Sequence, residues 1–164
     1  MLVSRAIKGN IHHSSPGTFQ NPIEYLELEW FDTTKRIIRA YSTAGKELGF
    51  RNLDSVALED GDVLYDAEGI CIVVRVLPCS CIVFEPQSIK EMAIACFEIG
   101  NKHIPIFIND RNEIITAYEK PLFDQLKRAG FQPMVEERVI EKTDVLKMHQ
   151  VTNFKNKIVL VKED

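Results

Sequence analysis

Reactive and membrane-seeking features are scarce in this chain of 164 residues. Apolar runs are short: Ile70 to Val74 falls far below the roughly 20 residues that cross a bilayer as a helix. Arg5 and Lys8 make a basic start, but no apolar stretch follows them, so no secretory signal is expected and the chain reads as cytoplasmic, with no membrane partner. Gly-x-Ser-x-Gly, Gly-x-x-x-x-Gly-Lys and His-Glu-x-x-His are all missing, and with them the signals for a hydrolase, a phosphate loop and a zinc protease. Glu24, Glu27 and Glu29 read as one exposed edge rather than as paired catalytic acids. A non-enzyme is expected. An excess of one charge is missing too. Twenty basic against 24 acidic residues leave a net charge of −4, which argues against a nucleic-acid partner.

Metal-binding residue types are sparse as well. The four histidines are His12, His13, His103 and His149. His12 and His13 are adjacent in a loop rich in Ser, Pro and Gly. In an extended segment they point to opposite sides, so they chelate poorly and read as surface residues. The chain ends Val161-Lys162-Glu163-Asp164, without a histidine run. Cys79 and Cys81 share one face of an expected strand, but no second pair completes a four-sulfur zinc site. Together with Cys71 and Cys96 they are expected as free thiols of a reducing compartment, and Cys96 as a small buried hydrophobe.

What is present describes a folded protein: 45% hydrophobic and 27% charged residues exclude a disordered chain. Residues 1–77 read as all-β. Leu2 to Ile7 is a short strand, and Ile23 to Trp30 alternates, with Leu26, Leu28 and Trp30 on one face. Arg36 to Tyr41 and Leu48 to Leu53 flank a turn at Ala44-Gly45-Lys46, a hairpin pattern. Turn signals around Val63-Leu64 precede Ile70 to Leu77, an apolar run expected as a buried closing strand. Pro78 marks a boundary. Beyond it come a strand (Cys81 to Phe84), a helix (Ile89 to Ile99), strands at Ile104 to Ile108 and Glu113 to Tyr118, a helix opened by Pro121 and ended by Gly130, and a strand from Met134 to Ile140. This β-α-β-β-α-β order over 78–141 is the ferredoxin-like pattern. Residues 142–164 read as a flexible polar tail. The fold class is therefore α+β.

The first helix leads to the candidate site. Ser88 and Glu91 form a capping box. Ile89, Met92, Ala93, Cys96 and Phe97 recur on a helical period and are expected to be its buried stripe. Gly100 is expected to stop the helix in the left-handed conformation, leaving His103 just beyond the negative end of the helix dipole.

The segment Gly100-Asn101-Lys102-His103 resembles the Gly-Asn-Arg-His motif of the UreE family, urease accessory proteins that carry nickel. Lys102 stands where the family has arginine, keeping the charge but losing the bidentate fork. Gly9-Asn10, Leu28-Glu29-Trp30-Phe31, Gly61-Asp62-Val63-Leu64, Lys120-Pro121 and Met148-His149 agree in order, so the resemblance spans residues 1–155. It implies a homodimeric nickel metallochaperone in which the ion is bridged by His103 of two copies, with His149 as a further ligand. Zinc or copper would bind too, because affinity alone does not favour nickel over copper. The implied partners are the urease maturation complex and its accessory GTPase, with 1–77 as the protein-binding unit and 78–141 as the metal-binding and dimerising one. The ferredoxin-like order also occurs in RNA-binding modules. Those need aromatics on central strands, where this chain has the aliphatic Ile114-Ile115-Thr116-Ala117.

Overall fold

A computed structural model describes residues 1–54, 56–140 and 145–146. Strands β1 (Leu2–Ser4), β2 (Ile23–Leu28), β3 (Ile37–Tyr41), β4 (Glu47–Arg51), β5 (Val63–Ala67) and β6 (Ile70–Val76) form two three-stranded sheets, β1-β4-β3 and β2-β6-β5. The expected hairpin is there: β3 and β4 pair antiparallel from Ile37↔Arg51 to Tyr41↔Glu47. Inward residues of both sheets, including Leu26, Leu28, Leu48, Phe50, Ile72 and Val74, merge into one apolar core. On the other side of the second sheet, Val63, Cys71 and Val73 lie under Ile11, Phe19 and Tyr25. Burial on both faces explains why β6 is apolar without a break from Ile70 to Val74 rather than alternating.

The loop that covers this second face is tied down by Asn10. Its Nδ2 donates to the Asp60 carbonyl at 2.8 Å and to Asp62 Oδ1 at 3.0 Å, while its own Oδ1 accepts from the His12 amide at 2.9 Å. Asp60 and Asp62 in turn accept from the backbone amides of Val76 and Glu59, at 2.8 and 2.9 Å. Gly61, at the centre, has φ +85°, and a Cβ there would lie 2.3 Å from His12 Cδ2. Both the backbone and the space therefore demand glycine. The two sequence fragments Gly9-Asn10 and Gly61-Asp62, far apart in the chain, are a single hydrogen-bonded joint.

Beyond Leu77 the elements are β7 (Cys79–Phe84), α1 (Ile89–Gly100), β8 (Phe107–Ile108), β9 (Ile114–Ala117), α2 (Lys120–Arg128) and β10 (Met134–Arg138). The sheet order is β10-β7-β9-β8, with every neighbouring pair antiparallel, the arrangement expected for the ferredoxin-like pattern. Both helices cover one face, where Ile82, Phe84 and Ile114 meet Ala95, Ile99, Leu122 and Leu126. The opposite face carries Cys81, Val83, Ile115 and Phe107 and packs against Trp30 and Ile140. Trp30 meets Phe107 edge to face, centroids 6.0 Å apart, so the tryptophan from just after β2 docks on the four-stranded sheet.

Three local expectations need correction. The face of α1 that meets the sheet is Met92, Ala95, Cys96 and Ile99. Ile89 and Phe97 are 90% and 66% exposed. The apolar arc of this helix is too wide for periodicity to fix its centre, and the small side chain of Ala95 permits the closer approach. Gly100 is the last residue of α1 but is not left-handed, and the C-cap is Asn101 in the right-handed region. The expected strand over Ile104 to Ile108 is only Phe107–Ile108, Pro105 having no amide hydrogen to give a ladder.

Part of the expected tail also falls among the described residues. Val145 bridges Phe107, and the Leu146 amide donates to the Ile106 carbonyl at 2.7 Å, so these two residues run along the β8 edge.

Candidate functional site

Local capping sets up the turn that holds His103. Ser88 Oγ accepts from the Glu91 amide at 3.2 Å, and the Glu91 carboxylate reaches the Gln87 amide at 2.7 Å, one residue earlier than a strict capping box. Twelve residues later the helix tightens as it ends. The amides of Lys102 and His103 donate to Ile99 and Gly100 carbonyls at 3.0 and 2.9 Å, each a three-residue step back. The left-handed residue is His103 itself, at φ +57°. The sequence located the turn but assigned its special conformation to the wrong residue. Histidine enters this region more often than most side chains, yet at a cost that glycine would avoid.

That conformation brings the exposed imidazole to the rim of an apolar pocket of about 590 Å³, lined also by Cys96, Gly100, Ile104, Pro105 and Ile106 and completed by Val145 and Leu146. Among the described residues, the His103 ring has no hydrogen-bond partner. The half-buried Cys96 shares the pocket, with its thiol 4.0 Å from Met92 Sδ and pushed up by burial, so it stays protonated. No cluster of three or more His, Cys, Asp or Glu that would hold a metal occurs among the described residues of one chain. A single imidazole leaves most of a divalent ion's coordination unfilled. His149, the second expected ligand, lies outside the described residues, as does most of the 142–164 stretch.

His12 and His13 are exposed, as expected, but His12 is not idle: its Nε2 lies 3.0 Å from Asp60 Oδ2. All four cysteines are free thiols. The helix-free sheet face, where an RNA-binding module presents stacking rings, offers none on its central strands β7 and β9. Phe107, on the edge strand, is only 3% exposed beneath Trp30.

Comparison with known proteins places the chain in a family. The model for the N-terminal domain of the UreE urease accessory protein matches residues 5–77. The urease accessory protein UreE of Acetivibrio thermocellus is 40% identical over 111 residues, covering 68% of this chain and 72% of that protein. UreE of Haemophilus influenzae strain PittEE is 41% identical over 118 residues, 71% of this chain and 63% of its own length. UreE of Helicobacter pylori strain Shi470 is 33% identical over 161 residues, 94% of this chain and 93% of its own. This chain belongs to the UreE family of urease accessory proteins.

Proposed function

We propose that this protein is a cytoplasmic nickel metallochaperone that serves urease maturation and is not itself an enzyme. Two copies meet so that their His103 rings face a shared ion, because a twofold interface sets each residue opposite itself and so supplies a second imidazole beside the first. The observation that carries the reading is the His103 turn: an imidazole without a hydrogen-bond partner among the described residues, held left-handed at the rim of an apolar pocket, in a member of a family of urease accessory proteins. A side chain kept in a costly conformation without a bond to the described residues is consistent with a use outside its own chain.

His149 is the further ligand in this reading. Leu146 lines the same pocket as His103, and three more residues of chain span at most about 11 Å. Zinc and copper compete for such a site, and selectivity comes from geometry and supply. The cargo passes to the urease maturation complex through its accessory GTPase. In this scheme residues 1–77 serve as the protein-binding unit, and 78–141 hold the metal and the second copy.

Calorimetric titration with nickel, alongside light scattering, tests the proposal. One nickel ion per two chains is expected, together with a dimer. His103→Ala removes that ion and leaves the circular dichroism unchanged. Full nickel stoichiometry and affinity in His103→Ala would overturn the reading.

A further inference from the structure

The β1-β4-β3 sheet buries one face in the core and leaves the other bare. Leu2, Ile38, Leu48 and Phe50 point inward, so strand alternation turns Val3, Ile37, Arg39, Tyr41, Gly49 and Arg51 outward. Val3, Ile37 and Tyr41 are 57%, 71% and 66% exposed. The ladders set Val3 and Arg39 on either side of Gly49, and Ile37 beside Arg51. Gly49 is the informative member. Its backbone is not left-handed, and a Cβ there would meet only the Leu2 carbonyl oxygen and Met1 Sδ, both at an ordinary 3.8 Å. Neither backbone nor space asks for glycine, and glycine weakens a strand interior. Its bare position in the middle of an exposed apolar face lets another backbone approach closely. We propose that this face docks a partner protein through an acidic, apolar, extended segment that lies across Gly49.

Charge selects the occupant. Arg39 is neutralised by Glu47 at 2.6 Å across the β3–β4 ladder. Arg51 on the same face, and Arg5 just past the end of β1, are exposed and make no ion pair among the described residues. The face is therefore positive in a chain whose net charge is −4. A partner's carboxylates are steered toward such arginines, and arginine and tyrosine are the side chains that most often anchor an interface. A second copy is the wrong occupant, because it would set the same arginines against each other. The face lies within residues 1–77. The inference thus rests on the reading of that unit as the protein-binding one, and adds where the partner sits and what it carries.

Fluorescence anisotropy of the full chain with two labelled peptides tests this. One peptide alternates glutamate with valine and phenylalanine, and the other carries lysine in place of glutamate. The acidic peptide should bind at least about tenfold more tightly than the basic one, and less tightly as salt screens the arginines. Arg51→Glu, at an exposed position, should weaken the acidic peptide at least about tenfold. Gly49→Val is the sharper variant. Valine is favoured in strands and its Cβ has room, so the melting temperature should not fall, while the peptide loses its close approach and binds at least about tenfold more weakly. His103→Ala should bind the peptide as the wild-type chain does. No binding of the acidic peptide, equal binding of the two peptides, or undiminished binding by Gly49→Val overturns the proposal. The nickel reading stands or falls separately, since neither docking variant touches His103.

Discussion

His12 and His103 both occupy exposed turns, and the contrast between them runs through the whole molecule. His12 is committed to its own half: its ring pairs with Asp60, its amide is held by Asn10, and Gly61 is kept bare beneath it. His103 pays a backbone cost and receives, among the described residues, no side-chain bond in return. The same difference separates the regions around them. In residues 1–77, polar groups such as Asn10, Asp60 and Asp62 tie loops to strands. Around α1 and β8, apolar groups and an imidazole remain open: Ile89, Phe97, the His103 ring and the rim of its pocket. The surroundings of His12 use their chemistry to stay folded, and those of His103 leave chemistry available.

The sharpest way to break this comparison is to exchange the two histidines' fates. His103→Ala should lower nickel affinity by more than about 100-fold, beyond what loss of a supporting group would do. His12→Ala should leave nickel binding intact and cost within about 1 kcal/mol, the range of an exposed ion pair. Parallel calorimetry and urea unfolding of both variants decide it, and comparable nickel loss in the two would erase the distinction.

Gly61→Ala probes the committed half. The added methyl meets the His12 ring in a left-handed backbone, and a loss of about 2–3 kcal/mol is expected by urea unfolding. Nickel stoichiometry should survive in the fraction that remains folded.

A milder test uses pH. Burial, and secondarily Asp66, push the Cys71 thiol above its ordinary value. A group that holds its proton more tightly when folded supports the fold fully below its unfolded value and less as pH rises through the folded one. Stability should therefore decline above about pH 9.0, the ordinary thiol value. Cys71→Ala should make that decline shallower while Cys79, Cys81 and Cys96, also raised by burial, keep the rest; an unchanged alkaline slope would show that the Cys71 thiol is not a source.

The smallest effect is expected at His103→Gly. Glycine takes φ +57° without a Cβ penalty but loses more freedom on folding. The net gain should lie between a few tenths and about 1 kcal/mol, visible as a slightly higher melting temperature alongside lost nickel binding. A lower melting temperature would mean that the ring supports the turn.

Much of this fold is legible in the sequence because its signals are local. Ser88 and Glu91 announce α1, Pro121 and Gly130 bracket α2, and Ala44-Gly45-Lys46 marks the hairpin. What escapes is set by contacts between distant segments. Asn10 and Asp62 look like unrelated turn residues until the fold joins them, and nothing local tells that Ala95 rather than Phe97 faces the sheet. The sequence singles out His103 through its motif. It does not reveal the left-handed backbone, because no residue type demands it there, nor the pocket wall from Val145 and Leu146, which exists only once that segment runs beside β8.

The contact between Trp30 and Phe107 has a practical side. The chain contains one tryptophan, and its ring lies where the β2 segment touches the four-stranded sheet. Intrinsic fluorescence is thus a built-in gauge of that seam. Loosening of the two halves would alter the emission while their separate strands still held, and a partner that pried them apart or clamped them together would be detectable without any attached dye.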